Sequence, residues 1–181
     1  SNQIMAPIAW TRSTGQDVTI LQIIVEDSSD HASYISHETA RTILAEVAPD
    51  TRLETFAAVP KLKIIDKRTI TEAAVSVNAD IVVIYQPLAI DRTSLLTTVK
   101  ALISEGKVVI VRRDAAYLEH AKDLFQKLSH MGAICVGNLS PEGLIPEPIK
   151  TRSLADIYAP YGTDYPCTSS LVTAGVAALV I

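Results

Sequence analysis

Apolar and polar positions alternate in blocks along this chain. VTILQIIV (18–25), RLETFAAV (52–59), DIVVIYQ (80–86), KVVIVR (107–112) and AICVG (133–137) are short, β-branched and apolar, the pattern of strands buried on both faces. Between these blocks the apolar residues take a helical period. In HETARTILAEV, Ala40, Ile43, Leu44 and Val47 fall at i, i+3, i+4 and i+7, and in YLEHAKDLFQKL the residues Leu118, Ala121, Leu124, Phe125 and Leu128 repeat the spacing. Each segment predicts an amphipathic helix with one face on a core. RTITEAAVSVNA and RTSLLTTVKALISEG fit two further helices. Strand and helix in alternation imply a three-layer α/β fold, a mostly parallel sheet with helices on both faces. The expected core is Ile23, Ile24, Ile43, Leu44, Val82, Val83, Val109, Ile110, Val136, Ala174 and Ala178. LSPEGLIPEPIKTRS (139–153) holds three of the nine prolines and reads as a surface loop within one domain spanning 1–181.

Composition narrows the function classes. At 181 residues and 48% hydrophobic content, the chain can bury a substantial core. Its net charge of −4, with 16 scattered Lys and Arg residues, gives no electrostatic footprint for DNA or RNA, so nucleic acid is discounted as a partner. No apolar run reaches the ~18 residues of a membrane-spanning helix, so no membrane role is expected. Two cysteines, Cys135 and Cys167, are too few for a disulfide framework and lack the spacing of a zinc site, although a single bridge between them is open. No metal and no cofactor is expected. The low cysteine content and a start without a charged-then-apolar leader favour an intracellular setting.

In a sheet of this kind ligands collect at the carboxyl ends of the strands, so the strand-to-helix junctions hold the candidate chemistry. After the first strand come Glu26 and Asp27, and ten residues beyond Asp27 stands His37, with Ser36 placed to cap the helix and Glu38 in its first turn. A carboxylate facing an imidazole orients a general base; the alternative is a surface acidic cluster beside a solvated histidine. The closing segment, CTSSLVTAGVAALVI (167–181), begins a helix with Cys167, Thr168, Ser169 and Ser170. These side chains either cap the helix or present a nucleophile at its positive end.

The ordered pieces IIVEDSS, SHETARTILAEVAPDTRLETFAAV, NADIVVIYQPL, KVVIVRRDAA, AICVGNLS, LADIYAPYGTD and CTSSLVTAGVAALV resemble the subtilisin-like serine proteases over about residues 18–181. EVAPDTRL, ADIYAP and AGVAALV are the specific pieces. The resemblance implies a subtilisin-like fold with truncated catalytic loops, and it places Asp27 and His37 on the family's triad aspartate and histidine. For the nucleophile, the motif reading of CTS selects Ser169, while counting back without a gap from AGVAAL selects Cys167. The two lie roughly 200° apart around a helix, so one site cannot use both.

Departures from the family pattern cluster at the chemistry. Glu38 stands where the family has a glycine, and Arg113 or Asp114 where it has its oxyanion asparagine. Pro87 removes a backbone donor from the strand that would bind substrate. Together these changes imply a degenerate member, a pseudoprotease that works as a protein-interaction or self-assembly module, with Tyr158, Tyr161 and Tyr165 as candidate contacts. The alternative is an active serine or thiol endopeptidase with a divergent oxyanion site. ILQIIVEDSS and NADIVVIYQPL also resemble a phosphoacceptor receiver domain, a second alternative that puts Tyr85 at the phosphoacceptor position and leaves ADIYAP and the terminal helix unexplained.

Overall fold

Runs of β-branched residues form strands here where both of their faces can be covered. In the computed structural model, which describes residues 13–25, 36–58, 67–85, 90–113, 118–139, 155–160 and 168–181, the strands are Thr19–Val25 (β1), Arg52–Ala58 (β2), Ile81–Ile84 (β3), Val108–Arg112 (β4), Ile134–Leu139 (β5) and Ile157–Pro160 (β6). The helices among these residues are His37–Val47 (α1), Lys67–Ser76 (α2), Arg92–Ser104 (α3), Leu118–His130 (α4) and Thr168–Ala178 (α5). The six strands form one sheet in the order β2-β1-β3-β4-β5-β6, parallel at every pairing.

Residues of odd and even number on the central strands feed two separate cores. Leu21, Ile23, Val82, Ile84, Val109, Val111 and Cys135 pack with Ile70 of α2, Leu95, Val99 and Leu102 of α3, and Leu124, Phe125 and Leu128 of α4. On the other face, Ile20, Leu53, Ile81, Val83, Ile110 and Val136 pack with Ala40 and Leu44 of α1 and Leu171, Ala174 and Ala178 of α5. This is the three-layer arrangement that the alternation of patterns implies. The expected core residues are buried, except Ile43, which is half-buried because α1 turns Ala40, Leu44 and Val47 inward and leaves Ile43 at its margin.

Local chemistry fixes the helix ends. Ser36 caps α1, its Oγ accepting from the Thr39 backbone N–H at 3.2 Å, and Asp91 caps α3 by accepting from the Ser94 N–H at 3.0 Å. Gly106 after α3 and Gly132 after α4 take positive φ values of 77° and 99°, the left-handed turn that closes a helix and favours glycine.

Two elements depart from the sequence reading. RLETFAAV was expected to be covered on both faces, but β2 is the sheet's edge, and Arg52, Thr55 and Ala57 are exposed. ADIYAP, read as a motif, carries the sixth strand, which pairs with β5 through Val136↔Ile157 to Leu139↔Pro160. Most of the proline-rich segment 139–153 lies outside the described residues.

The strand order places a switch point between β1 and β3. The chain leaves β1 toward β2 through α1 on one face, then returns past β1 to β3 and continues the other way, with α3 on the opposite face. Such a crevice at the carboxyl ends is where open parallel sheets collect ligands.

Candidate functional site

On the face shared by α1 and α5, apolar residues give way to polar ones toward the carboxyl ends of the strands. Gln22 of β1 is wholly buried, as is Tyr85 immediately after β3. Buried amides and phenols are costly unless hydrogen-bonded, and these two satisfy each other: the Tyr85 hydroxyl donates to Gln22 Oε1 at 3.1 Å. Gln22 Nε2 donates to Thr55 Oγ1 at 2.6 Å, a contact that follows from the register, in which Gln22 lies directly opposite Thr55 on β2.

His37 joins this network from the helix. It is the first residue of α1, directly after the Ser36 cap, and its exposed ring brings Nδ1 to 2.8 Å from Thr55 Oγ1. The Nδ1 partner among the described residues is therefore a strand hydroxyl. Asp27, matched to the triad aspartate, lies outside the described residues. Glu38, Arg41, Thr42 and Ala45 line an open groove of about 400 Å³ with His37 along the outer side of α1.

The start of α5 faces inward. Thr168, Ser169 and Ser170 are all buried. Ser169 Oγ donates to the Asn138 carboxamide oxygen near the end of β5, so this hydroxyl neither caps the helix nor meets an imidazole among the described residues. Ser170 Oγ is buried without a hydrogen-bond partner among the described residues. Cys167 and Asp114 lie outside the described residues. Arg113 follows β4, buried, with its backbone N–H donating to the Val136 carbonyl at 2.9 Å.

The remaining cysteine is structural. Cys135 is a free buried thiol; burial, reinforced by the nearby Asp156 carboxylate, pushes it up to about 12, so it stays protonated and unreactive. Asp156 instead ties β6 to its neighbours, accepting from the Cys135 N–H at 2.7 Å and from the Ser129 hydroxyl. Of the three tyrosines, Tyr158 is half-buried on β6, its ring lying so close to Gly137 that a Cβ there would meet it at 2.5 Å. Tyr161 and Tyr165 lie outside the described residues, as does Pro87.

Gln22, Thr55 and Asn138 escaped the sequence reading. Gln22 carries the one visible signal, a lone amide inside the apolar run ILQIIV; Thr55 and Asn138 acquire their roles only through strand register and chain crossing. No group of three or more His, Cys, Asp or Glu residues capable of holding a metal ion occurs among the described residues. No helix there is long and apolar enough to cross a membrane.

A six-stranded parallel sheet with this order and these two helix layers is a subtilisin-like α/β fold. Solved structures carry the likeness. MycP1 from the ESX-1 type VII secretion system superposes with a TM-score of 0.59 at 17% identity, over 99% of this chain and 73% of that one. MycP1 from Mycobacterium smegmatis gives 0.59 at 15% identity, over 99% and 72%. No protein-family model matches the sequence, and no curated protein is significantly similar to it. The first five strands also follow the order 2-1-3-4-5 of receiver-type folds, but β6 extends the sheet beyond it, and the Tyr85 hydroxyl is buried on Gln22.

Proposed function

We propose that this chain is a subtilase-fold pseudoprotease, a single domain that binds a protein partner or assembles with itself instead of cleaving peptides. The observation that carries the reading is Ser169. A serine nucleophile needs an accessible hydroxyl whose proton passes to a base; Ser169 is wholly buried, and its proton is committed to the Asn138 carboxamide. Arg113, one of the two residues that the resemblance offers for the oxyanion position, supports the same reading, because it is buried and neither it nor Asp114 supplies the family's neutral amide; loss of one oxyanion donor costs about 2.7–4 kcal/mol of barrier, a figure measured in subtilisin itself. Tyr158, at the edge strand β6, is the described residue proposed as a contact, with Tyr161 and Tyr165 following it in sequence.

Casein and a peptide library, offered to the whole chain, should remain uncut. A fluorophosphonate probe should leave Ser169 unlabelled, and peptide mapping after iodoacetamide should show no fast-reacting Cys167. Steady cleavage abolished by His37→Ala and by either Ser169→Ala or Cys167→Ala overturns the proposal in favour of an active endopeptidase.

A further inference from the structure

A wholly buried glutamine in the middle of an apolar strand calls for a physical reason, and its hydrogen bonds supply one. They run in a single direction. The phenol of Tyr85 donates to Gln22 Oε1, which turns the amide so that Nε2 donates to Thr55 Oγ1. A threonine hydroxyl has one proton and two lone pairs. With one lone pair occupied by Gln22, its proton lies open to His37 Nδ1 at 2.8 Å. The reversed chain would flip the amide and make the phenol oxygen its acceptor, the weaker role for a phenol. The Tyr85–Gln22 bond that starts the chain is buried, where aligned donors polarise one another and favour one consistent direction.

We infer that Tyr85, Gln22 and Thr55 are a positioning relay that holds His37 with Nδ1 as hydrogen-bond acceptor and the proton on Nε2, so that this histidine offers a partner a donor and not a base. A histidine acting as general base in a serine nucleophile system requires the opposite tautomer, with Nδ1–H bound to an acceptor and Nε2 bare. Gln22 and Thr55 act through the ring and do not themselves touch a partner. The inference rests on and deepens the inactive reading of the site by giving His37 its role, a ring held as a hydrogen-bond donor beside the groove that it lines with Glu38 and Arg41.

Long-range ¹H–¹⁵N correlation spectra of the full chain with ring-labelled histidine, recorded where the ring is neutral, test this directly. His37 is assigned by its loss in His37→Gln. The expected spectrum shows a single tautomer, with pyridine-like Nδ1 and pyrrole-like Nε2. Thr55→Val and the volume-conserving Gln22→Met should each give a fast-exchanging mixture of both tautomers, and Thr55→Ser should restore the single form. Thr55 is exposed, so its variants report on the ring and not on the core. A protonated Nδ1 in the native chain, or a tautomer unchanged in folded Thr55→Val, overturns the relay. Peptide cleavage alongside the Nε2–H form would defeat the inactive reading while the relay stood; a protonated Nδ1 without cleavage would do the reverse.

Discussion

Ser169 and Asn138 illustrate how unequal the two ends of one hydrogen bond can be. Ser169 is wholly buried, whereas Asn138 is half-buried, so water reaches the amide more readily than the hydroxyl. Removing a partner costs most when the group left behind is shut away from solvent, about 1–3 kcal/mol for a neutral donor or acceptor. Asn138→Ala strands the serine hydroxyl beside Ser170 Oγ, which is already without a partner among the described residues. Ser169→Ala leaves an amide that can rehydrate. Asn138→Ala is therefore expected to destabilise by about 1–3 kcal/mol and Ser169→Ala by about 1 kcal/mol or less, read from urea midpoints at constant slope. Equal losses, or a larger loss for Ser169→Ala, would mean that the bond does not organise the start of α5. The buried Cys135 thiol likewise keeps its proton, donating to the Phe125 carbonyl at 3.7 Å near the Asp156 carboxylate.

At the scale of elements, the close approach of α1 to α5 holds the helix that starts at His37 against the helix that carries Ser169. Gly175 makes it close. A Cβ at that position would lie 2.9 Å from Val47 Cγ1 and 3.2 Å from Leu44 Cδ2, and Val47 is β-branched and stiff, with little room to yield. Gly175→Val is expected to push the helices apart at a cost of about 1–3 kcal/mol, with a lowered thermal midpoint and an altered His37 environment in the ring spectra. An unchanged midpoint would show that the helices are free to separate. What was legible in the sequence divides along the same line. Central strands and covering helices could be read because burial on both faces, or on one stripe, writes an unbroken apolar run or a 3.6-residue period. Edge strands are less legible: IYAP is four residues ending in proline and reads only as a motif, and RLETFAAV reads as a strand but not as an edge, placing Leu53 in one core and Phe56 against the other while exposing Thr55 between them. Ser36 and His37 were legible because a cap is a local event. The partners Gln22–Thr55 and Gln22–Tyr85 stand 33 and 63 residues apart, and register alone brings them together.

Considered whole, the molecule is two apolar cores sharing one sheet, and β4 lies at the centre of both. Ile110 is wholly buried among the α1 and α5 side chains, while its neighbours Val109 and Val111 enter the core beneath α2, α3 and α4. Its ladder partners are Val83 on β3 and Ile134 on β5. A cavity on one face therefore loosens a strand on which the other face also depends, and interiors packed at crystal-like density transmit such a change. Ile110→Ala is expected to cost about 2–5 kcal/mol. If the sheet unfolds as one cooperative unit, the slowest-exchanging amides of α1 and α3, on opposite faces, should lose protection by the same free energy. Amides of the edge strands β2 and β6 exchange through smaller openings and should change less. Native-state hydrogen exchange on the wild type and on Ile110→Ala measures all three. A loss confined to α1 and α5, with α3 unchanged, would mean that the two faces fold independently, and the layer carrying His37 and Ser169 would then open without disturbing the rest of the sheet.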